Sequence, residues 1–568
     1  MKKIILLVSI IIFLTACSDD ILTEKPKDFL TPENSYVDKK GFVAALSNIY
    51  KDIRTDFYAT TDSWSNYDMF GVDVDLYEPR SSEKTWTEYF NWNTINADNG
   101  FSLKWWSRLY SMIYQCNVII DRADKPEASW TNDAEKNAIV GEAKFLRAFC
   151  YRFLANMWGN VPIVTKETTS PVYNYSNSSQ EDVYNLCKED LLFAIQWMPD
   201  IDEQIGGRAS KVAAQHLLSE ILICLKDYQG AIDQASAVIN NPAMSLMTER
   251  FGIYKDFTFN GWDYLGPKEP WGDVYWDLFR EGNFNRIDGN KECIWNVQFD
   301  VDAVGGGNTT RSGGNFVMER YFGVGWEWLK DADGKVNWLK DTLGGRPVDQ
   351  LSLTGYAAND IWKYKNEENS DIRNSTYNVR REYYWTNPSS RFYGQKITKD
   401  NLGDPSDYYK ICQPIYIKVV TAIHHGLGTD PTSGEKHDQG RIFKDWYIMR
   451  LAETYLLRAE AYFLSGDKES AANDINILRL RAHAKPITAD DVSLDLILDE
   501  RARELLMEDY RLNTLMRMNK LSEYLMKYNE KVKQAGYQLD DHINKLPIPN
   551  REIEANKEGG LVQNPGYE

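Results

Sequence analysis

Two stretches lying more than two hundred residues apart share one internal spacing, and that spacing limits what the chain can fold into. In residues 447–482, Leu451, Tyr455, Leu456, Ala459, Tyr462 and Phe463 recur at three- and four-residue steps, the period of one helix face. Ser465-Gly466-Asp467 interrupts the helix with turn residues, and Ala471, Ala472, Ile475 and Leu478 resume the pattern. Small Ala459 and small Ala471 stand twelve residues apart, where two helices of a hairpin cross closely. The earlier stretch, KVAAQHLLSEILICLKDYQGAIDQASAVINNP, repeats the arrangement, with Ser219 twelve residues before Ala231 and Leu222 where Tyr462 stood. Pro242 closes its second helix. A hairpin of this kind cannot bury its apolar face alone, so further helices must stack upon it.

Those helices are legible. Gly41–Asp52 turns Phe42, Ala45, Leu46 and Ile49 to one side, and Phe101–Arg122 does so with Trp105, Leu109, Met112, Ile113 and Cys116. Ala134–Trp158 ends at Gly159 with Pro162 beyond, Ser179–Met198 ends at Pro199, and Leu494–Met518 supplies the last long helices. The spacing of the hairpins resembles a tetratricopeptide unit. The expected fold is mainly α: one domain over 41–568, with an α-solenoid core at about 41–55, 100–242 and 446–568. Long irregular insertions at about 56–99 and 243–445 carry a few short strands, Pro414–Val419 among them.

The start of the chain is a targeting segment. Lys2 and Lys3 precede the apolar run Ile4–Leu14, too short to span a bilayer as a finished helix, and Leu14-Thr15-Ala16-Cys17 follows. This resembles a bacterial lipoprotein signal, residues 1–16, cut before Cys17 so that the Cys becomes N-terminal and lipid-modified. An ordinary secretory signal with an incidental Cys is the plainer alternative. Ser18-Asp19-Asp20 resembles an acidic tag that sends lipoproteins to the cell surface, and residues 17–40 read as a tether. Acyl chains at about 0.8 kcal/mol per buried methylene would anchor the body to the outer membrane without spanning it.

The formal charge of −18 repels phosphate backbones and argues against nucleic acid as a partner. Cys116, Cys150, Cys187 and Cys224 sit in apolar helical runs and no CxxC pair exists, so buried thiols are expected rather than bridges or metal ligands. No phosphate loop, paired dinucleotide glycines, HExxH or Gly-x-Ser-x-Gly elbow is present, and nothing implies a cofactor. Asp73 and Asp75 offer carboxylates that together could bind a cation, though a solvated loop is the plainer reading. Asp331-Ala332-Asp333-Gly334 lacks the other ligands of a calcium loop and reads as a turn. Glu500, Arg503 and Glu504, on an amphipathic helix, read as a solvated or ion-paired face.

The better lead is aromatic. Eighteen Trp, 34 Tyr and 22 Phe make up 13% of the chain, and many crowd the irregular segments where the core is smallest. Indole and phenol faces stack on the C–H faces of sugars, while Asn, Asp and Arg bond the hydroxyls. At about 1 kcal/mol per ring, three or four rings with hydrogen bonds give a dissociation constant of roughly micromolar to millimolar.

Longer motifs carry a resemblance over the whole chain. They are the lipobox at Cys17, the line GEAKFLRAFCYRFLANMWGNVPIV, the two hairpins, LILDERARELLMEDYRLNTLMRMNKL and the closing LPIPNREIEANKEGGLVQNPGY. Together they resemble the SusD/RagB family of surface glycan-binding lipoproteins. The departures are Asp509, where that family usually has Gly, and Thr514, where it usually has Asp. The resemblance implies a non-enzymatic protein that captures oligosaccharide or polysaccharide and caps a SusC-like TonB-dependent transporter. It places ligand contacts in Asp56–Asn99 and Phe257–Trp328. The rings singled out there are Trp64, Tyr67, Trp86, Trp271, Trp276, Tyr321 and Trp326, with Asn66, Asp68, Arg80 and Asn283 as hydrogen-bonding partners. Two other readings stay open: a surface glycoside hydrolase using two loop carboxylates, and a tetratricopeptide scaffold that recruits peptides, for instance in a peptide importer.

Overall fold

The structure is a computed structural model. It describes residues 32–59, 69–71, 74–79, 92–258, 270–300, 303, 306, 316, 318–322, 329–337, 351–363, 370–408, 412–420 and 443–567. The helices form where the apolar period places them, and side chains satisfy the first free N–H groups of several. They are α1 (Lys39–Ile53), α2 (Gly100–Arg122), α3 (Asp133–Trp158), α4 (Gln180–Trp197), α5 (Lys211–Cys224) and α6 (Tyr228–Ile239). After the long insertion, which contains the short α7 (Val274–Leu278), come α8 (Leu451–Ser465), α9 (Lys468–Arg481), α10 (Leu494–Leu505), α11 (Arg511–Arg517), α12 (Leu521–Tyr528) and α13 (Asn550–Ala555). Asn99 caps α2, Asn132 caps α3, and Ser179 with Asp182 closes a reciprocal capping box on α4.

Helices α2 to α6 pack in order, each on its neighbour, and α6 then packs against α8. The two hairpins recognised from their spacing therefore touch, although some two hundred residues separate them in sequence. Ala459, Ala471, Ser219 and Ala231 are all buried at the crossings, as the spacing requires. Gly466 ends α8 at φ +95°, a left-handed conformation that costs glycine little.

The strands are short and antiparallel. They are β1 (Tyr77–Pro79) with β3 (Leu351–Leu353), β2 (Cys293–Val297) with β6 (Trp446–Arg450), and β4 (Val379–Arg380) with β5 (Ile415–Tyr416). Pair β2–β6 sews the insertion to the start of α8, and β5 falls inside the expected Pro414–Val419 segment. The Leu494–Met518 stretch is not continuous: Met507 lies at φ +64° between α10 and α11. The six Cys of the described residues are free thiols, four of them buried, and burial pushes that of Cys116 up to about 12. Among the described residues no helix is long and apolar enough to cross a membrane.

The expected charged face of α10 is ion-paired and buried rather than solvated. Glu504 accepts from Arg450 at 2.8 Å, from Arg373 at 3.0 Å and from Arg481. Glu500 pairs with Arg373 at 2.8 Å, Arg479 at 2.9 Å and Arg503 at 3.2 Å. Glu292 joins Arg450 and Arg481, Glu508 joins Arg450 and Lys418, and Asp371 joins Arg373. All these side chains are buried, so each charge is held by partners instead of water. Glu292, Asp371, Arg373 and Lys418 come from the insertion. The network thus fixes the irregular half of the molecule to the helical half.

Candidate ligand site around Trp271

Within the insertion, the described residues build one pocket around a ring singled out from the sequence. It encloses about 360 Å³ and is lined by Trp271, Thr376, Val379, Arg380, Arg381, Glu382, Tyr384 and Ile417. Trp271 is half-buried, and Tyr377 meets its ring edge-on at 4.9 Å and 77°.

The indole is held by its backbone. Trp271 N–H donates to Phe257 O at 2.9 Å, while the Arg250 guanidinium donates to Trp271 O at 3.0 Å and Gly272 O at 2.9 Å. Gly272 takes φ +105°, and a Cβ there would sit 2.5 Å from the Trp276 ring, so only glycine fits the bend that presents Trp271. The opposite wall is fixed by Asp273, the N-cap of α7, which accepts from Ser375 Oγ at 2.9 Å and from Asn378 Nδ2 at 3.0 and 2.9 Å. Burial pushes the Asp273 carboxyl above its ordinary value, and the bonds from Asn378, Trp276 N–H and Ser375 oppose that rise. One carboxylate thereby sets Tyr377 against Trp271.

The polar rim is partly committed. Glu382 accepts from Lys396 Nζ at 2.6 Å and Tyr384 Oη at 3.1 Å, and the Lys396 bond holds its carboxyl below the usual range. Arg381 donates to Asn374 Oδ1 at 2.6 Å and Ala358 O at 3.2 Å, while Arg380 lies 4.8 Å over the Tyr383 ring. Flat aromatic faces beside guanidinium donors and a carboxylate acceptor can stack on a sugar ring and bond its hydroxyls.

The other residues expected at the site divide three ways. Trp276 and Asn283 are internal: Trp276 stacks on Phe257 at 5.8 Å beneath the Arg280 guanidinium, and Asn283 donates to Asp277 O and accepts from Ile253 N–H. Both are buried and neither lines this pocket, and Trp276 packs directly against the Gly272 bend that presents Trp271. Tyr321 closes a one-turn helix and is half-buried against the main core, apart from this pocket. Trp64, Asn66, Tyr67, Asp68, Arg80, Trp86, Trp326 and the lipidation candidate Cys17 lie outside the described residues. The sequence reading missed Tyr377, Arg380, Arg381, Glu382 and Tyr384. A run with two Tyr and two Arg next to a Glu (NVRREYYW) was the available signal, but with no period it does not say which side faces out.

Of the aspartates weighed as cation ligands, Asp75 is buried and paired with Arg511 at 2.7 Å, and Asp73 lies outside the described residues. Asp331 accepts from Asp333 and Lys335 N–H groups, the turn expected of it. Among the described residues no three His, Cys, Asp or Glu side chains gather as a metal site.

Residues 291–567 match the model of the SusD family, and residues 28–223 match a second model described as starch-binding associating with outer membrane. The chain belongs to the SusD/RagB family. It is 23% identical to SusD-like protein P25 of Formosa agariphila over 98% of this chain and 97% of that one. It is 38% identical to the starch-binding protein SusD of Bacteroides thetaiotaomicron over 21% of each. Among solved structures it resembles a laminarin-binding SusD-like protein (TM-score 0.62, 20% identity, 94% of this chain and 100% of that one). It also resembles surface glycan-binding protein A of B. thetaiotaomicron in complex with laminarihexaose (TM-score 0.64, 19% identity, 93% and 99%).

Proposed function

We propose that the protein captures oligosaccharides at the cell surface, held to the outer membrane by lipid on Cys17, and passes them to a SusC-like TonB-dependent transporter without cleaving them. The observation that carries the reading is the preformed pocket in which Asp273 and Arg250 fix Trp271 against Tyr377 beside Arg381 and Glu382. Membership of a family with laminarin- and starch-binding relatives supports a glycan as the ligand. Binding without hydrolysis is favoured because Glu382 is the sole carboxylate among the described lining residues, whereas glycosidases set two about 5–10 Å apart.

The test is a titration of residues 18–568, free of lipid, against laminarin, starch and a panel of other polysaccharides and their hexaoses, with Trp271→Ala alongside. One class should bind with a dissociation constant of roughly micromolar to millimolar and Trp271→Ala should weaken it about tenfold, with no product released. Product release from any glycan overturns the non-enzymatic role, and failure to bind any of them overturns the glycan. Co-purification with a transporter from outer membranes, lost with Cys17→Ser, tests the anchor and the hand-over.

A further inference from the structure

A second pocket, larger than the one at Trp271, lies between α2, the segment 162–175 and α13. It encloses about 480 Å³, within the range of small-ligand sites, and shares no residue with the Trp271 pocket. Five aromatic side chains line it: Trp106, Tyr110, Tyr114, Tyr173 and Tyr175. Trp106 and Tyr110 stand 5.0 Å apart at 48°, and Tyr114 and Tyr173 are 45% and 48% exposed, too open to be read as core.

The walls are prebuilt. Asn556 Oδ1 accepts from Tyr175 N–H at 2.7 Å and its Nδ2 donates to Tyr175 O at 2.8 Å. Glu558 N–H donates to Tyr173 O at 2.8 Å and Gly560 N–H to Tyr175 O at 2.9 Å. A Cβ on Gly559 would fall 2.3 Å from Tyr175 O, so glycine is what allows the two segments to run this close. On the other side, Tyr110 Oη donates to Pro162 O at 2.7 Å and Asn117 Nδ2 to Val164 O at 2.8 Å. These contacts order the rings before any ligand arrives, which lowers the entropic cost of binding.

Within this fixed frame several polar groups are uncommitted. The half-buried Glu552 carboxylate takes no hydrogen bond or ion pair from the described protein, and the same holds for the hydroxyls of Ser107, Thr168, Tyr114 and Tyr173. Among the described residues no Lys, Arg or His lines the cavity. Stacking faces, spare hydroxyls and a single acceptor carboxylate suit vicinal sugar hydroxyls, and the lack of a base disfavours uronate or sulfate groups. We propose that this pocket is a second saccharide site, taking a short neutral segment of a glycan chain on Tyr114 and Tyr173, with Glu552 accepting from its hydroxyls. Two separated sites on one body would hold a long chain more tightly than either alone.

Titration of Trp271→Ala with neutral gluco-, manno- and xylohexaoses tests it, with folding of every variant checked by thermal unfolding. At least one hexaose should bind, more slowly exchanging amides should appear at residues 171–176 and 556–560 on binding, and adding Tyr173→Ala, Tyr114→Ala or Glu552→Gln should weaken it about fivefold or more. No binding to Trp271→Ala, or binding that all three further changes leave untouched, overturns the second site. So does binding of tetramethylammonium or lysine amide with no hexaose bound, which would make the pocket a cage for organic cations. The reading of the Trp271 pocket stands or falls separately, on whether the Tyr114→Ala/Tyr173→Ala/Glu552→Gln variant with Trp271 intact binds a glycan.

Discussion

Glu504→Ala removes the carboxylate at the junction of the buried ion network. That carboxylate accepts from Arg373, Arg450 and Arg481, all fully buried. In the intact network Arg373, Arg450, Arg479, Arg481, Arg503 and Lys418 face Glu292, Glu500, Glu504, Glu508 and Asp371. Removing one acid from an arrangement already short of negative charge leaves guanidinium groups in a medium that solvates them poorly. Breaking a buried pair from one side costs about 3–5 kcal/mol. Unfolding entropy near 2.1 cal/mol/K per residue gives a chain of this size about 1.2 kcal/mol/K, so the melting temperature should fall by about 2.5–4 °C. Differential scanning calorimetry reads this directly. Glu504→Gln, which keeps the shape and one acceptor oxygen, should fall by less, and Glu530→Ala, whose pair with Lys533 is exposed, should not move. A Glu504→Ala melt within 1 °C of the parent would refute the network as the tie between insertion and scaffold.

Three further outcomes follow from the same geometry. Burial alone would raise the Glu500 carboxyl, but Arg373, Arg503 and Arg479 outweigh it and hold it at about 2; a depressed carboxylate stabilises above its unfolded value near 4.5 and loses that as pH falls toward 2, so acid unfolding followed by circular dichroism should steepen in that window and shift upward in Arg373→Met. Asp509 accepts from Arg501 at 2.9 Å and from Thr514 Oγ1 at 2.7 Å, so the two departures from the family pattern touch each other. Asp509→Gly and Thr514→Asp should each destabilise by about 1–3 kcal/mol in urea titrations, and the double change should recover most of that loss. Gly272→Ala should lower glycan affinity and melting temperature together, because its Cβ strikes the Trp276 ring that supports Trp271.

What could be read from the residues was what local periodicity encodes. Ala459 and Ala471, or Ser219 and Ala231, declare a hairpin because a helix repeats every few residues and a close crossing needs a small side chain. The same logic says nothing about Glu504, whose partner Arg373 lies 131 residues away in an aperiodic segment. Trp271 and Trp276 differ by five positions in an aromatic run, yet one opens to a pocket and the other lies under Arg280. In irregular chain the direction of each side chain is set by long-range contacts, so composition locates a ligand region without choosing its residues. Tyr114 and Tyr173 escaped notice for the opposite reason: they sit on or beside regular elements, where rings are expected to be core.

The segment 546–564 has a bearing on how the molecule comes to be made. It completes the wall of the earliest helices: Leu546 N–H donates to Met157 O, Trp158 Nε1 and Ser102 Oγ to Pro547 O, Asn550 N–H to Ala97 O, and Asn564 Nδ2 to Trp158 O. Trp158 and its acceptor are separated by 389 residues. At roughly 5–20 residues per second, synthesis leaves α2 and α3 without this cover for roughly 20 to 80 seconds. During that time the Trp158 indole N–H has only the Ser102 hydroxyl as acceptor, at 2.9 Å, and the apolar end of a long helix pair stays uncovered. A nascent chain so arranged cannot complete its first layer until its last stretch has been made.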